Sequence, residues 1–350
     1  MTPDTDGGIG KGKHLLVIRL SALGDVAMTL PAIYSLARRY PQMRIFVLTR
    51  RPFARIFVNH PDNVKMFTPD LKKKGVKGLG VTLALFMRLR RHKFDYVVDL
   101  HNVLRSWVLG RLLHWSGARW GMVDKMREGR RAVLHGHARQ PEFISRYIDT
   151  FRRMGFEVDY TFKTLYPDGA PEAPVDIPAG AVGIAPFARY ETKTYPVDLM
   201  EQVVKGLSGR GVPVFLFGGR GREAEIMDSW AERYDGCVSL AGRFAIRDEL
   251  AMMSRLTAMV AMDSANHHLA ALTGVRVLSI WGGTTPACGF MAYGQKESDA
   301  LCLGLDCQPC SIGGSPKCKL GTPVCMRGIK PETVIGRVMD MLNEKKESKQ

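Results

Sequence analysis

Charged and polar side chains follow two apolar runs in the sequence, each where a helical pattern begins. In HLLVIRLSALGDV, Ser21, Gly24 and Asp25 come directly after the apolar run. Asp25 suits two roles there: a cap on the new helix, or a general base that removes a proton from a substrate hydroxyl. In PFARYETKTYP, Lys193 lies in a polar loop before a proline-started helix. It could neutralise a phosphate group or simply contact solvent.

A third motif, MDSANHHLAALTG, ends an apolar run with Asp263 and Ser264 and opens a helix with His267 and His268. The amides of a helix N-terminus attract anions and disfavour cationic imidazolium, so neutral histidines there could hydrogen-bond a diphosphate. Ordinary helix capping by Asp263 or Ser264 is the alternative. Adjacent histidines point to different sides of a helix, so we expect no two-histidine metal site.

Two weaker motifs also follow apolar runs. FGGRGREAE has glycines for a tight turn, and Arg220 and Arg222 add positive charge to it. DLHNVLRS places His101 and Arg105 where they could face a cleft. Both patterns also fit plain polar turns. The dinucleotide fingerprint GxGxxG is absent from the strand-to-helix turn at Gly24, and no cofactor is expected.

The cysteines form one cluster. Four of the seven, Cys307, Cys310, Cys318 and Cys325, have the spacing C-x₂-C-x₇-C-x₆-C. A four-cysteine set is compatible with structural zinc, but this spacing matches no standard zinc finger. Reduced thiols and a redox-active disulfide are the other interpretations.

Apolar runs alternate with helical patterns along the chain. Short branched runs such as HLLVIRL are typical of buried parallel strands, and the segments between them have apolar residues at helical spacing. The alternation predicts βαβ units and parallel sheets, an α/β fold. Further strands are expected at 44–49, 95–100, 181–187, 212–219, 258–263 and 275–282, and helices at 26–39, 105–115, 141–154, 196–208, 222–234, 247–256 and 267–272.

A linker and a change in charge divide the chain at the same place. The segment YPDGAPEAPVDIPAG, residues 166–180, is rich in Pro, Gly and Ala. Residues 1–170 hold 30 of the 50 Lys and Arg residues but 14 of the 34 Asp and Glu residues, so they carry the whole net charge of +16. We expect two domains, 1–168 and 178–330, with the strand ends of both facing a central cleft. The excess charge predicts a polyanionic partner for the first domain.

Composition excludes several classes of protein. An apolar fraction of 45% with 24% charged residues is typical of a globular protein. No apolar run approaches the roughly 20 residues that span a bilayer, and the polar N-terminus does not resemble a signal peptide. A cytoplasmic location is therefore expected. A basic nucleic-acid-binding α/β protein remains an alternative on charge alone, but no recognition-helix pattern supports it, and we expect no nucleic acid partner.

Together the motifs resemble glycosyltransferase family 9, the ADP-heptose:lipopolysaccharide heptosyltransferases, from about residue 14 to residue 331. The family's opening signature resembles IIRLSSLGDVVLTTP and stands here as VIRLSALGDVAMTLP. Its second signature, D-[ST]-G-x-x-H-L-A-A-x-x-G-V, stands as DSANHHLAALTGV, and its Gly-x-Thr-x-Pro stands as GGTTP, which contains Thr284. A lysine followed by an aromatic residue and proline stands as KTYP.

The resemblance implies a GT-B fold, in which two Rossmann-like domains face a cleft and a C-terminal helix, here 331–345, packs back toward the first domain. It implies an inverting enzyme without a catalytic metal. Asp25 matches the general base, and Lys193 matches the residue that neutralises the leaving diphosphate. The remaining positions are nucleotide-sugar-binding residues Asp263, Ser264, His268, Glu223, Phe244 and Thr284, and acceptor-binding residues Ser21, Gly24, His101 and Arg105.

The implied donor is ADP-heptose or a related nucleotide sugar. The implied acceptor is an anionic lipid-linked glycan at the inner-membrane face, which adds a possible peripheral membrane contact to the cytoplasmic location. Transfer of another sugar to a different cell-surface glycan, and binding of a sugar nucleotide without catalysis, are the alternatives. The sequence departs from the family pattern at Ala265, where the signature has Gly, and at Tyr195, where Trp is common.

Overall fold

The computed structural model describes residues 10–70, 75–136 and 138–347. The chain divides into two compact units. The first unit comprises Met1–Arg127 and Phe143–Phe162, and the second comprises Glu128–Glu142 and Lys163–Gln350. Parts of the expected first domain, residues 1–9, 71–74 and 137, lie outside the described residues, as do residues 348–350.

Strands and helices alternate through the first half of the chain. Of these elements, α6 belongs to the second unit and the others to the first. The elements are β1 His14–Ile18, α1 Leu23–Ala27, α2 Leu30–Arg39, β2 Arg44–Leu48, α3 Arg51–Ala54, β3 Val64–Phe67, α4 Gly75–Leu89, β4 Tyr96–Asp99, α5 Leu104–Trp115, β5 Arg119–Met122, α6 Arg130–Leu134 and α7 Phe143–Arg153.

The second half repeats the alternation. Short 3-10 turns occur at Glu191–Lys193, Pro286–Cys288 and Glu297–Asp299. The elements are β6 Val182–Ala185, α8 Val197–Ser208, β7 Val214–Leu216, α9 Arg222–Arg233, β8 Cys237–Ser239, α10 Ile246–Arg255, β9 Ala258–Met262, α11 Ala265–Leu272, β10 Arg276–Ile280, β11 Ala300–Leu301, α12 Val324–Arg327 and α13 Pro331–Glu347.

Each unit is built on one parallel sheet. The first sheet has the strand order β3-β2-β1-β4-β5, and the second has β11-β10-β9-β6-β7-β8. All the strand pairs of both sheets are parallel. The direction of winding reverses between β1 and β4 in the first sheet and between β6 and β9 in the second. Ligands of such sheets bind at this reversal, outside the carboxyl ends of the strands.

One expected helix is two helices in the structure. The pattern over 26–39 predicts a single helix, but α1 ends at Ala27 and α2 begins at Leu30. Pro31 is the second residue of α2, and its missing N–H fits the first turn of a helix better than the middle of one.

The boundary between the two units differs from the expected boundary, which lay between residues 168 and 178. The segment Glu128–Glu142, which contains α6, groups with the second unit. One reason is that the Gln140 N–H donates a hydrogen bond of 2.9 Å to the Ala287 carbonyl oxygen. The C-terminal helix α13 buries its apolar side in the core of the second unit, through Val334, Val338 and Met341.

One core cluster of the first unit lies between its sheet and the helices α4 and α5. Leu16 and Ile18 of β1 pack with Phe86 and Leu89 of α4 and with Leu109 of α5. Among the described helices, none is long and apolar enough to cross a membrane.

Candidate active site

Asp25 is the third residue of α1, just after the turn that follows β1 and beside the winding reversal of the first sheet. Its Oδ2 accepts a hydrogen bond of 2.9 Å from the N–H of Ala22, the residue that precedes α1. Its Oδ1 lies 2.7 Å from Nη2 of Arg19. The carboxylate therefore satisfies the start of the helix and forms an ion pair at the same time. About a quarter of the side chain, 27%, remains exposed to an approaching substrate.

Arg19, which sequence reasoning missed, orients that carboxylate. Its side chain is 5% exposed, and its Nη1 donates a hydrogen bond of 2.6 Å to the Leu100 carbonyl oxygen, after β4. Burial lowers the Arg19 pKa, but Tyr147 and Asp25 outweigh burial and the net shift is upward. Because Arg19 follows β1 and its guanidinium binds the segment after β4, this side chain joins the loops that follow β1 and β4. The signal for Arg19 in the sequence is a cation at the end of an otherwise apolar strand.

The loop after β4 brings His101 to the same place. Asp99 is fully buried, and its Oδ1 accepts hydrogen bonds of 2.8 Å from the N–H groups of His101 and Asn102. Nε2 of His101 lies 3.4 Å from Oγ of Ser21. Burial, Arg19 and Lys125 lower the His101 pKa to about 3, so the imidazole is neutral at physiological pH. Ser21 and His101, both predicted to bind the acceptor, are thus neighbours.

The other two predicted acceptor residues lie on the adjoining helices. Gly24 is the second residue of α1, and Arg105 is a half-buried residue in the first turn of α5.

Lys125 is a second cation that sequence reasoning missed. Its loop follows β5 and is fastened to the loop after β4, since Nδ2 of Asn102 donates a hydrogen bond of 2.8 Å to the Val123 carbonyl oxygen. Burial, Arg19 and Arg127 lower the Lys125 pKa to about 8. The ammonium is therefore charged at neutral pH and loses its proton just above it.

Tyr147 of α7 places a buried phenol near Arg19. The side chain is fully buried, and its Oη has no hydrogen-bond partner among the described residues. Burial raises the Tyr147 pKa to about 12, so the hydroxyl stays protonated.

The second unit brings Lys193, Asp263 and Thr284 together. Lys193 ends the 3-10 turn that follows β6, Asp263 follows β9, and Thr284 follows β10. Nζ of Lys193 lies 2.6 Å from Oδ2 of Asp263, and Oγ1 of Thr284 donates a 2.6 Å hydrogen bond to the same oxygen. The lysine side chain is 14% exposed and the aspartate 3%. Three positions that the sequence separates by up to 91 residues thus form one network.

The first turn of α11 lies beside this network. Ser264 precedes the helix, and neither its Oγ nor the ring nitrogens of the fully buried His267 have a hydrogen-bond partner among the described residues. Burial, His268 and Lys193 lower the His267 pKa well below its usual value, so this imidazole is neutral. The rings of His267 and His268 stack with centroids 5.3 Å apart. The rings of His267 and Trp281 form an edge-to-face pair with centroids 5.9 Å apart.

Of the other predicted nucleotide-sugar residues, Glu223 is the second residue of α9, which follows β7, and Phe244 lies in the loop after β8. Oε2 of Glu223 accepts a hydrogen bond of 2.8 Å from the Gly219 N–H, so this carboxylate closes the glycine-rich turn. The Gly242 N–H donates to the Gly218 carbonyl oxygen at 3.0 Å, which joins that turn to the loop that holds the half-buried Phe244.

The cysteine loop packs against the turn that holds Lys193. The Cys310 N–H donates to the Gly283 carbonyl oxygen at 2.9 Å, and Oγ1 of Thr192 donates to the Ser315 carbonyl oxygen at 2.7 Å. Gly314 has a φ of +95°, and a Cβ there would lie 2.5 Å from Cδ of Lys193. The loop therefore limits where the lysine can lie, and only glycine fits at this contact.

All seven cysteines are free thiols in the structure. Within residues 10–70, 75–136 and 138–347, no three His, Cys, Asp or Glu side chains are grouped closely enough to hold a metal ion.

The fold and these loops can be compared with known proteins. Residues 82–318 match the family model described as "Glycosyltransferase family 9 (heptosyltransferase)". The chain belongs to glycosyltransferase family 9. The resemblance inferred from the motifs is thereby confirmed, and the protein is a glycosyltransferase.

Curated relatives and solved structures agree with this membership. The chain is 26% identical over 311 residues to lipopolysaccharide heptosyltransferase 1 of Pseudomonas aeruginosa, covering 85% of this chain and 86% of that protein. It is 24% identical over 284 residues to lipopolysaccharide heptosyltransferase 3 of Escherichia coli K12, covering 75% of this chain and 80% of that protein.

Among solved structures, E. coli heptosyltransferase WaaC with ADP aligns with a TM-score of 0.68 at 16% identity, over 94% of this chain and 99% of WaaC. A family 9 glycosyltransferase from Veillonella parvula aligns with a TM-score of 0.71 at 17% identity, over 96% of this chain and 98% of that chain. These likenesses confirm the predicted fold class, two parallel-sheet α/β domains of the GT-B type.

Proposed function

We propose that this family 9 enzyme transfers heptose from ADP-heptose to the inner core of a lipopolysaccharide acceptor, by inversion and without a catalytic metal. The Lys193–Asp263 pair beside the first turn of α11 carries the proposal, because it sets an ammonium and helix amides where a diphosphate can be held. The names of the relatives, lipopolysaccharide heptosyltransferases, and the ADP in the WaaC structure support this donor and acceptor.

Lys193 and α11 act on the leaving group. An ammonium has three N–H groups, and Asp263 occupies one of them at 2.6 Å, so two remain for phosphate oxygens. The first amides of α11 have no partner within the helix and favour negative charge. The neutral His267 adds hydrogen-bonding groups without adding charge, and we assign its neighbour His268 to the nucleotide sugar as well. Such fixed donors stabilise the charge that develops on a departing diphosphate.

Asp25 acts on the acceptor. As the acceptor hydroxyl oxygen attacks the anomeric carbon of the heptose, its proton passes to the Asp25 carboxylate. The new C–O bond forms while the bond from the anomeric carbon to the diphosphate oxygen breaks, and the electron pair leaves with ADP. Displacement from the opposite side inverts the configuration. Arg19 and the Ala22 amide orient the carboxylate for this step.

The first unit supplies the groups for an anionic acceptor. Lys125 carries a positive charge at neutral pH, and Ser21, Gly24, His101 and Arg105 are the other residues that we assign to acceptor binding. We also propose a cytoplasmic location with peripheral contact at the inner membrane, where a lipid-linked acceptor would be presented.

A donor panel tests this function. Purified protein is incubated with the acceptor and ADP-heptose, UDP-sugars or GDP-sugars, in EDTA, and nucleotide release is measured. We expect release with ADP-heptose alone. Asp25→Asn should lower turnover at least about 100-fold, while ADP affinity stays within a few-fold. Asp62→Asn, at an exposed carboxylate, is the matched control. Unchanged turnover in Asp25→Asn refutes the base, and dependence on added Mg²⁺ refutes the metal-free mechanism.

A further inference from the structure

The exposed large apolar side chains are concentrated on two helices of the first unit. Ten such side chains are exposed among the described residues, and five of them lie on α4 and α5. Leu104 and Trp115 of α5 are 78% and 71% exposed, more than the other eight. Single exposed apolar residues are ordinary, but five on two neighbouring helices, two of them tryptophans, indicate an interaction surface.

The five side chains lie on the outward sides of α4 and α5, two helices that contact each other. Leu85 and Leu89 of α4 and Leu109 and Leu113 of α5 enter the same core cluster, so the opposite sides of both helices face outward. On α5, Leu104, Trp107, Arg111 and Trp115 follow one another at spacings of three and four residues, which forms one stripe. We call Leu83, Met87, Leu104, Trp107, Arg111 and Trp115 the α4–α5 surface.

Positive charge is interleaved with these apolar side chains. The guanidinium carbon of Arg111 lies 5.5 Å from the ring centroid of Trp115. Arg88, Arg90 and Arg91 are exposed at the end of α4 and just beyond it. The sequence holds no Asp or Glu between Asp70 and Asp95, nor between Asp99 and Asp124. Neither helix therefore has a carboxylate with which to neutralise its arginines.

We propose that the α4–α5 surface docks on an anionic lipid bilayer. Tryptophan and leucine side chains enter the boundary between headgroups and acyl chains, while arginines beside them pair with lipid phosphates. A second copy of the chain fits less well, because a symmetric interface would set arginine-rich faces without carboxylates against each other. Nucleic acid would leave Leu83 and Leu104 without apolar partners.

The inference rests on the proposed function only in that a lipid-linked acceptor requires access to a membrane. Lipid binding is measured without donor or acceptor, so its failure is distinguishable from failure of the transferase proposal. The experiment sediments the full-length protein with vesicles of phosphatidylcholine alone or mixed with phosphatidylglycerol, at low and high salt. We expect binding to the mixed vesicles, weakened by salt.

Matched variants locate the contact. Leu104→Ser/Trp115→Ser removes two exposed apolar side chains from the surface, and should weaken vesicle binding at least about tenfold. Leu320→Ser/Val324→Ser removes two exposed apolar side chains, 66% and 48% exposed, from the second unit and should change nothing. Arg111→Gln should weaken binding about fivefold at low salt and less at high salt.

Three outcomes would overturn the proposal. Equal lipid binding by the wild type and the Leu104→Ser/Trp115→Ser variant would show that the surface does not contact the bilayer. A dimer in sedimentation velocity that this variant abolishes, without lipid binding by the wild type, would identify a second copy as the occupant. RNA binding lost in the same variant, again without lipid binding, would identify nucleic acid. Circular dichroism of each variant checks that it is folded, and Trp115→Ser alone provides a milder substitution.

Discussion

Replacing Lys193 by methionine tests whether its pair with Asp263 is both a structural contact and part of the reaction. The substitution leaves a carboxylate that is 3% exposed with Thr284 as its remaining side-chain donor. Breaking a buried ion pair costs about 3–5 kcal/mol. Because the lysine is 14% exposed, we take the lower end, about 3 kcal/mol. For a unit of this size that corresponds to a fall in Tm of about 6–12 °C.

The double variant separates the two roles. Asp263→Asn alone leaves the ammonium without its carboxylate and should cost about 2 kcal/mol. Lys193→Met/Asp263→Asn contains no unpaired charge, so we expect a loss of about 2 kcal/mol rather than the sum of about 5. Turnover should not recover in the same way. Without an ammonium for the leaving diphosphate, both variants that lack Lys193 should be slower by about 100-fold or more.

Urea unfolding measured by intrinsic fluorescence gives the free energies, and nucleotide release gives the turnover. Lys205→Met, at an exposed lysine on α8, is the control and should change neither. Strict additivity of the two single variants would refute the coupling between Lys193 and Asp263. Recovery of turnover in the double variant would refute the role of Lys193 at the diphosphate.

Two further predictions concern Lys125 and the second unit. The Lys125 pKa is lowered to about 8 by burial, so the ammonium is present below that pH and absent above it. The KM for an anionic acceptor should therefore rise as the pH passes 8. The Lys125→Arg variant should not show this rise in KM. A rise that persists in Lys125→Arg would exclude Lys125 as its cause. Asp299 is fully buried and accepts hydrogen bonds of 2.6 and 2.8 Å from Arg276. The Asp299→Ala variant should therefore lose about 3 kcal/mol or more of its free energy of unfolding, measured in urea. Asp340→Asn, at an exposed carboxylate 3.6 Å from Arg337, should cost less than about 0.5 kcal/mol, and equal losses would contradict the importance of burial.

Local periodicity predicted many of the elements in the core of the fold. A buried parallel strand and an amphipathic helix each leave a pattern that repeats within a few residues, so β1, β9, α8 and α9 could be located from the sequence. Elements whose pattern is short or interrupted were missed. These include β3, β5, β8 and β11, which have two to four residues each, the helices α3, α6 and α12, which have four or five residues each, and α4, whose first six residues include three glycines.

The sequence by itself also placed Asp25, Lys193 and Asp263 after strands, where the structure has them, and the carboxyl end of a parallel strand is where ligands bind. Their roles in the reaction stay predictions. Their partners were decided by the tertiary structure. The strand order places the loop after β4 beside β1, so Leu100 binds the side chain of Arg19 from 81 residues away.

The tertiary structure also decided the properties of Lys125, Tyr147 and the outward face of α5. The displaced pKa of Lys125 comes from burial and from charges on other loops, and neither has a local signature. A helical pattern shows which residues share a face, but not whether a neighbouring element covers that face, so Trp115 could not be identified as exposed. Sequence patterns report on neighbours within a turn or a strand, whereas pairing, burial and exposure depend on segments that only folding brings together.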